Sequence, residues 1–308
     1  MNVPARLAAF GVVLGLAFGG AALAGAAIDP TDEDAFVADS GHGGDESAGG
    51  GTDSQGDKHG GREVADGGEE HASTGPALSG LAISQDGFTL EPERTYLDAD
   101  EKTPFRFRIS DDRGRVVRDE YELESGRELH LIVARRDTAV YEHLHPRKGQ
   151  DGTWSVELPA LEPGVYRAFA DFQIGGKNRA LATDLFVPGN FSPKPLPAPT
   201  NESRVDGFDV ELGTEKLQSG KATNVVFNVN RDGRPFDRLE RYLGARGHLV
   251  ALREGDLGYL HVHPNEDVEG NAVAFEATFP TAGRYRLFFQ FQTGGRVRTV
   301  AYTLEVPR

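Results

Sequence analysis

Six histidines carry the most distinctive chemistry in the 308-residue chain. His130, His143 and His145 recur as His248, His261 and His263, each set spaced thirteen residues and then two. Neutral imidazoles that converge can share one ion at metal–nitrogen distances of ~2 Å. The chain has no cysteine, and its only methionine is Met1, so no thiolate or internal thioether is available. An all-imidazole set of this kind suits divalent zinc or copper(II) and does not suit copper(I). Asp171 is a candidate fourth ligand in the first set, whereas the matching position in the second set is Gln290. Tyr141 and Tyr259, two residues before the paired histidines, face the same way and could support the ligands from behind, as could Gln290.

Strands joined by a tight turn must position these side chains. A two-residue turn at Arg136-Asp137 predicts His130 directly opposite His143, and one at Glu254-Gly255 predicts His248 opposite His261. Opposed residues have Cβ atoms roughly 4.5–5.5 Å apart, and residues two apart on a strand share a face, so each triad can converge. A loop longer by one residue would turn the first histidine away. The competing reading is that His-x-His-Pro braces the hairpin and binds nothing.

The histidines sit inside a longer repeat. Glu128–Arg135 matches Arg246–Arg253, Tyr141–Pro146 matches Tyr259–Pro264, Pro163–Arg167 matches Ala282–Arg286, and Asp171–Gly176 matches Gln290–Gly295, with one inserted residue along the way. Segments such as Thr103–Ile109 alternate with period two, and turn residues separate them, as in half-buried strands. About seven short strands per copy and no convincing amphipathic helix predict an all-β protein of two tandem immunoglobulin-like β-sandwiches. Gly164-Val165-Tyr166 and Gly283-Arg284-Tyr285 resemble tyrosine corners. Trp154 fits core or a surface anchor, and Asp237–Leu243 a short helix or a loop. The expected divisions are an apolar segment at 1–28, a tether at 29–78, sandwiches at 79–188 and 203–308, and between them a linker at 189–202. Alternate prolines in Ser192–Pro199 make that linker stiff and extended.

Charge is uneven. Residues 29–72 hold thirteen acidic residues against Lys58 and Arg62, which accounts for −11 of the formal −15. Such a Gly-rich acidic tract buries too little apolar surface to order itself, so His42, His59 and His71 within it read as solvated. The acidic balance repels phosphate backbones and argues against nucleic acid as a partner. Leu7–Ile28 is uncharged for twenty-two residues, enough to span a bilayer. Arg6 before it places the remainder outside the cytoplasm. An uncleaved single-pass anchor is favoured over a signal cleaved after Ala22-Leu23-Ala24, which would release the protein.

The chain has no Gly-x-Ser-x-Gly, no phosphate loop and no carboxylate pair repeated in both copies, and no later histidine completes a cupin set. His130–Arg136, Tyr141–Pro146, Asp151–Trp154 and Tyr166–Phe172 together resemble a family of actinobacterial envelope proteins. Their repeats are similar to YtkA-like and CopC-like extracytoplasmic immunoglobulin-type domains. The resemblance covers residues 85–308 and implies a β-sandwich outside the membrane and, through the CopC-like relatives, copper(II) handling. The expectation is a non-enzymatic, membrane-anchored protein that binds divalent copper or zinc for buffering, delivery or sensing. The alternative is an envelope interaction module with structural histidines. A metal-dependent enzyme is a third class.

Overall fold

Alternation along Thr103–Asp111 places Phe105, Phe107 and Ile109 in a core and leaves Pro104 and Arg106 in water, so the strand is read directly from its period. The computed structural model describes residues 78–308 except His261, Glu266, Asp267, Glu269 and the side chain of His263. The Leu7–Ile28 segment and residues 29–77, with His42, His59 and His71, lie outside the described residues. The described residues contain no helix, and therefore none long and apolar enough to cross a membrane.

The first repeat begins with β1 (Ser84–Gln85), β2 (Phe88–Pro92), β3 (Thr103–Asp111), β4 (Tyr121–Glu122) and β5 (His130–Arg135). It continues through β6 (Tyr141–Leu144), β7 (Arg147–Lys148), β8 (Trp154–Leu158), β9 (Gly164–Ile174) and β10 (Lys177–Val187). The second repeat opens with β11 (Glu202–Val205), β12 (Phe208–Thr214), β13 (Ala222–Arg231), β14 (Arg234–Pro235) and β15 (His248–Arg253). It closes with β16 (Tyr259–Leu260), β17 (His263–Asn265), β18 (Ala272–Thr278), β19 (Gly283–Thr293) and β20 (Arg296–Val306). Each repeat is a two-sheet, immunoglobulin-like sandwich. One sheet runs β1-β2-β3-β8-β7 in the first copy and β11-β12-β13-β18-β17 in the second. The facing sheet runs β10-β9-β5-β6 and β16-β15-β19-β20 respectively.

Every residue of β5 is buried. A strand buried on both faces needs a layer on each side, and the second layer here is the other repeat. Leu131 and Val133 point into the first sandwich, while Ile132 and Ala134 point the other way. In β15, Leu249 and Ala251 enter the second sandwich, and Val250 and Leu252 join Ile132 and Ala134. Phe169, Ala180, Ala182, Leu257, Tyr259 and Phe288 complete this third core, which belongs to neither sandwich alone. The two copies dock face to face, related by an approximate two-fold axis. Tyr141 stacks on Phe288 at 4.0 Å, and the reciprocal pair Tyr259 and Phe169 lies at 5.5 Å.

The hairpin turns differ from the two-residue expectation. Arg135 N–H donates to the Val140 carbonyl at 3.0 Å, so Arg136–Ala139 forms a four-residue loop. Arg253 N–H donates to the Gly258 carbonyl at 2.9 Å, which makes an equal loop of Glu254–Leu257. Thr138 and Leu257 take the left-handed backbone needed to close these loops, at φ 59° and 58°. The register therefore slides by two residues: Ile132 opposes His143, and Leu131 opposes Leu144. A shift of two preserves the side-chain face where a shift of one would have reversed it.

Tyr166 Oη donates to the Glu162 carbonyl at 2.8 Å, and Tyr285 Oη to the Thr281 carbonyl at 3.0 Å, so both tyrosine corners form. Trp154 is core, its indole N–H donating to the Tyr121 hydroxyl. Asp237–Leu243 is a loop, tied to β19 where Glu240 pairs with Gln292.

Candidate metal centre

His130, Ile132 and Ala134 share one face of β5, so the first histidine stands at the border of the inter-repeat core. His143 and His145 reach the same face from β6 and the residues after it. One ring nitrogen from each of the three lies within 4.8 Å of the others. The closest pair is His130 Nδ1 and His143 Nε2, at 3.0 Å.

The partners behind the rings fix which nitrogens carry protons. His130 Nε2 meets the Glu124 carbonyl at 3.0 Å, and a carbonyl only accepts, so Nε2 bears the hydrogen. His143 Nδ1 meets Gln290 Oε1 at 2.7 Å, while Gln290 Nε2 donates to Thr299 Oγ1. In that amide orientation His143 Nδ1 also carries its hydrogen. The two nitrogens 3.0 Å apart then both present lone pairs, which a metal ion can take together; with the Gln290 amide reversed, His143 Nε2 instead donates to His130 Nδ1. His145 Nε2 is buried nearby without a hydrogen-bond partner. Metal–nitrogen bonds of ~2.0–2.1 Å in tetrahedral arrangement put ligand nitrogens about 3.3 Å apart, so the observed pair is within a few tenths of an ångström of ligating geometry.

A proton is a poor substitute for that ion at neutral pH. Burial, reinforced by neighbouring His130, lowers His143 to about 3. Burial and His130 also lower His145 to about 4. Both rings therefore stay neutral and keep their lone pairs.

The second repeat contributes to this same place. His248 lies 4.6 Å from His143 between ring centroids and stacks on His130 at 5.6 Å and 15°. Gln290, paired across the sheet with His248, orients His143 of the other copy. Asp171 stands opposite His130 on β9, but its Oδ2 accepts the Tyr259 hydroxyl at 2.7 Å, and its carboxylate is not among the three converging groups. Tyr259 is held protonated, first by burial and then by Asp171. Tyr141, two residues from His143 on β6, stacks on Phe288 of the other repeat. His261 and the side chain of His263 lie outside the described residues, so of the second set only His248 is described. A cleft of about 320 Å³ reaches His130 and His248 past Glu124, Asp171, Gln173 and Asn178, which gives solvent a route to the cluster. The equal spacing of the triads could not reveal that Gln290 and His248 serve the first one; only docking of the repeats does so. The apolar run Leu131–Ala134 was the available signal, since it marks a strand covered on both faces.

A family model described as a domain of unknown function (DUF8832) matches residues 83–189 and again 203–308. No curated protein matches the chain. Among solved structures, a DUF4426 family protein from Pseudomonas aeruginosa is 11% identical, with 35% of this chain and 96% of that one covered and a TM-score of 0.25. The FdeC adhesin of Escherichia coli is 12% identical, over 74% of this chain and 66% of its own, at a TM-score of 0.22. A titin A168169 structure is 9% identical, over 72% and 98%, at 0.21.

Proposed function

The chain thus belongs to the DUF8832 family, carrying that domain twice, and we propose that it binds a divalent copper or zinc ion through His130, His143 and His145. The observation that carries this reading is the convergence of one ring nitrogen from each of His130, His143 and His145 within 4.8 Å, with His130 Nδ1 and His143 Nε2 3.0 Å apart beside the unpartnered His145 Nε2. Three neutral imidazoles without sulfur suit these two ions. Bound there, the ion would be held for buffering, delivery or sensing and not for turnover. Leu7–Ile28 would anchor the protein with the sandwiches outside the cytoplasm, in keeping with the resemblance to CopC-like domains. The Gln290–His143 hydrogen bond, which crosses between the repeats, favours a second reading in which the histidines serve docking alone.

Titration of the full chain with Zn²⁺ or Cu²⁺ against a competing chelator separates the two. Tight binding is expected, with His143→Ala weakening it by more than about 100-fold and Gln290→Ala by about 10–100-fold, the usual effect of losing a group that orients a ligand. Unchanged affinity in a folded His143→Ala protein overturns the metal reading. No binding by the intact chain, together with loss of stability in the same variant, supports docking alone.

A further inference from the structure

The two repeats place an arginine at equivalent points of the inter-repeat face and treat it differently. Arg167 on β9 pairs across the sheet with Asp184, and its guanidinium donates to that carboxylate at 3.1 Å. Asp256, in the hairpin loop of the other repeat and hydrogen-bonded to Arg253, adds a weaker Coulombic attraction to Arg167 without pairing with it. Arg286 on β19 is the counterpart, and it pairs across the sheet with Thr303. By the spacing of the repeat, the position matching Asp256 is Thr138. Both carboxylates that attend Arg167 are therefore threonines around Arg286.

The consequences are visible in the surroundings. Arg286 donates to Thr303 Oγ1 at 3.2 Å, its buried Nε has no hydrogen-bond partner, and it makes no ion pair among the described residues. Thr138 is 6% exposed, and its Oγ1 is likewise buried without a partner. Arg286 and Thr138 line one cavity of about 150 Å³, together with Arg136, Lys194, Asp137 and Glu254. The two carboxylates there are already engaged. Asp137 accepts from Arg135 and from the Lys194 and Ala139 backbones, and Glu254 accepts two hydrogen bonds from Arg284. Arg136 is held by Asp184, but that one carboxylate also serves Arg167. A partly buried guanidinium without a counter-ion is costly unless a charge partner reaches it.

We propose that Arg286, Thr138 and Lys194 form a binding site for a small oxyanion of the phosphate or sulfate class. The anion supplies the negative charge that Asp184 and Asp256 supply around Arg167. The guanidinium supplies charge-assisted donors and the Thr138 hydroxyl a neutral one, while Lys194, which lines the cavity from the linker side, adds positive charge to its rim. The size of the cavity restricts the ligand to a free ion or a short phosphorylated group. The site is separate from the histidine centre and does not depend on metal binding there.

The test is thermal unfolding of the full chain in metal-free buffer, with inorganic phosphate or sulfate compared against chloride at equal ionic strength. At low millimolar anion, below the range where sulfate and phosphate stabilise folded proteins by exclusion, the midpoint should rise saturably with phosphate and sulfate and not with chloride, since a ligand bound only by the folded state stabilises it. Arg286→Gln should weaken the fitted affinity by at least about tenfold, the loss of one charge-assisted contact. Thr303→Asp should abolish the response while raising the midpoint without anion, because it supplies the missing carboxylate internally. Equal responses to chloride and oxyanions overturn the proposal, as does an undiminished response in folded Thr303→Asp. Should Arg286→Gln fail to fold, Thr303→Asp decides alone.

Discussion

The two repeats share strand order, hairpin loop length and register, yet they bring different charges to the face where they meet. Asp171 in the first copy is Gln290 in the second, Asp184 is Thr303, and Thr138 is Asp256. Apolar positions on that face are kept in kind: Ile132 and Ala134 meet Val250 and Leu252. Duplication thus preserved what docking requires and left the polar positions free to diverge. The histidines are kept in both copies; where the polar positions diverged, one end of the face places the Gln290 amide against His143 and another leaves an arginine without a counter-ion.

The largest effect should come from the shared core. Phe169→Ala and Phe288→Ala should each cost about 3–5 kcal/mol in urea unfolding of the whole chain. Phe288→Ala should cost more, because it also removes the closer stack with Tyr141. Losses below about 1 kcal/mol for both would mean that the repeats do not rely on this face.

Acid comes next. The folded pKa of His143 lies below the ordinary value near 6.5, so the unfolded chain takes up the proton first. This contribution is fully present above pH 6.5 and is lost as pH falls toward about 3. Metal-free protein should lose on the order of 3 kcal/mol from His143 between pH 6.5 and 4. His143→Gln should flatten the stability profile over that window in denaturant melts; an unchanged slope would show that His143 is not buried neutral.

The paired tyrosines sharpen the contrast further. Tyr259→Phe removes the hydroxyl that Asp171 accepts and should cost about 1–3 kcal/mol. Tyr141 Oη is buried without a partner, so Tyr141→Phe should be neutral or slightly stabilising. Equal costs from calorimetry would refute the asymmetry. The smallest effect belongs to the tyrosine corners. Tyr166→Phe and Tyr285→Phe should each cost about 1 kcal/mol, Tyr285→Phe slightly more because its hydroxyl also pairs with Thr281 Oγ1 at 2.9 Å. Equal losses in urea melts would show that the extra contact adds nothing.

Much of the fold was legible because period-two alternation and repeated turn residues report local geometry. Thr103–Asp111 and the Gly-x-Tyr corners behave as their patterns require. The convergence of His130, His143 and His145 was also legible, although the turn that produces it was not. A loop of two residues and one of four leave the same residues on the same face, so the spacing constrained parity and not register.

The histidine spacing, the absence of sulfur and the duplication together determined which side chains could meet and what ion they would suit. The sequence alone also determined that β5 and β15 are apolar on both faces, because that depends only on residue type. Tertiary structure decided what covers the second face. Only docking of one repeat on the other brings Gln290 to His143, Tyr259 to Asp171 and Thr138 to the cavity of Arg286. These contacts join residues 88–148 positions apart, and no local pattern encodes a pairing made by packing two already folded sheets.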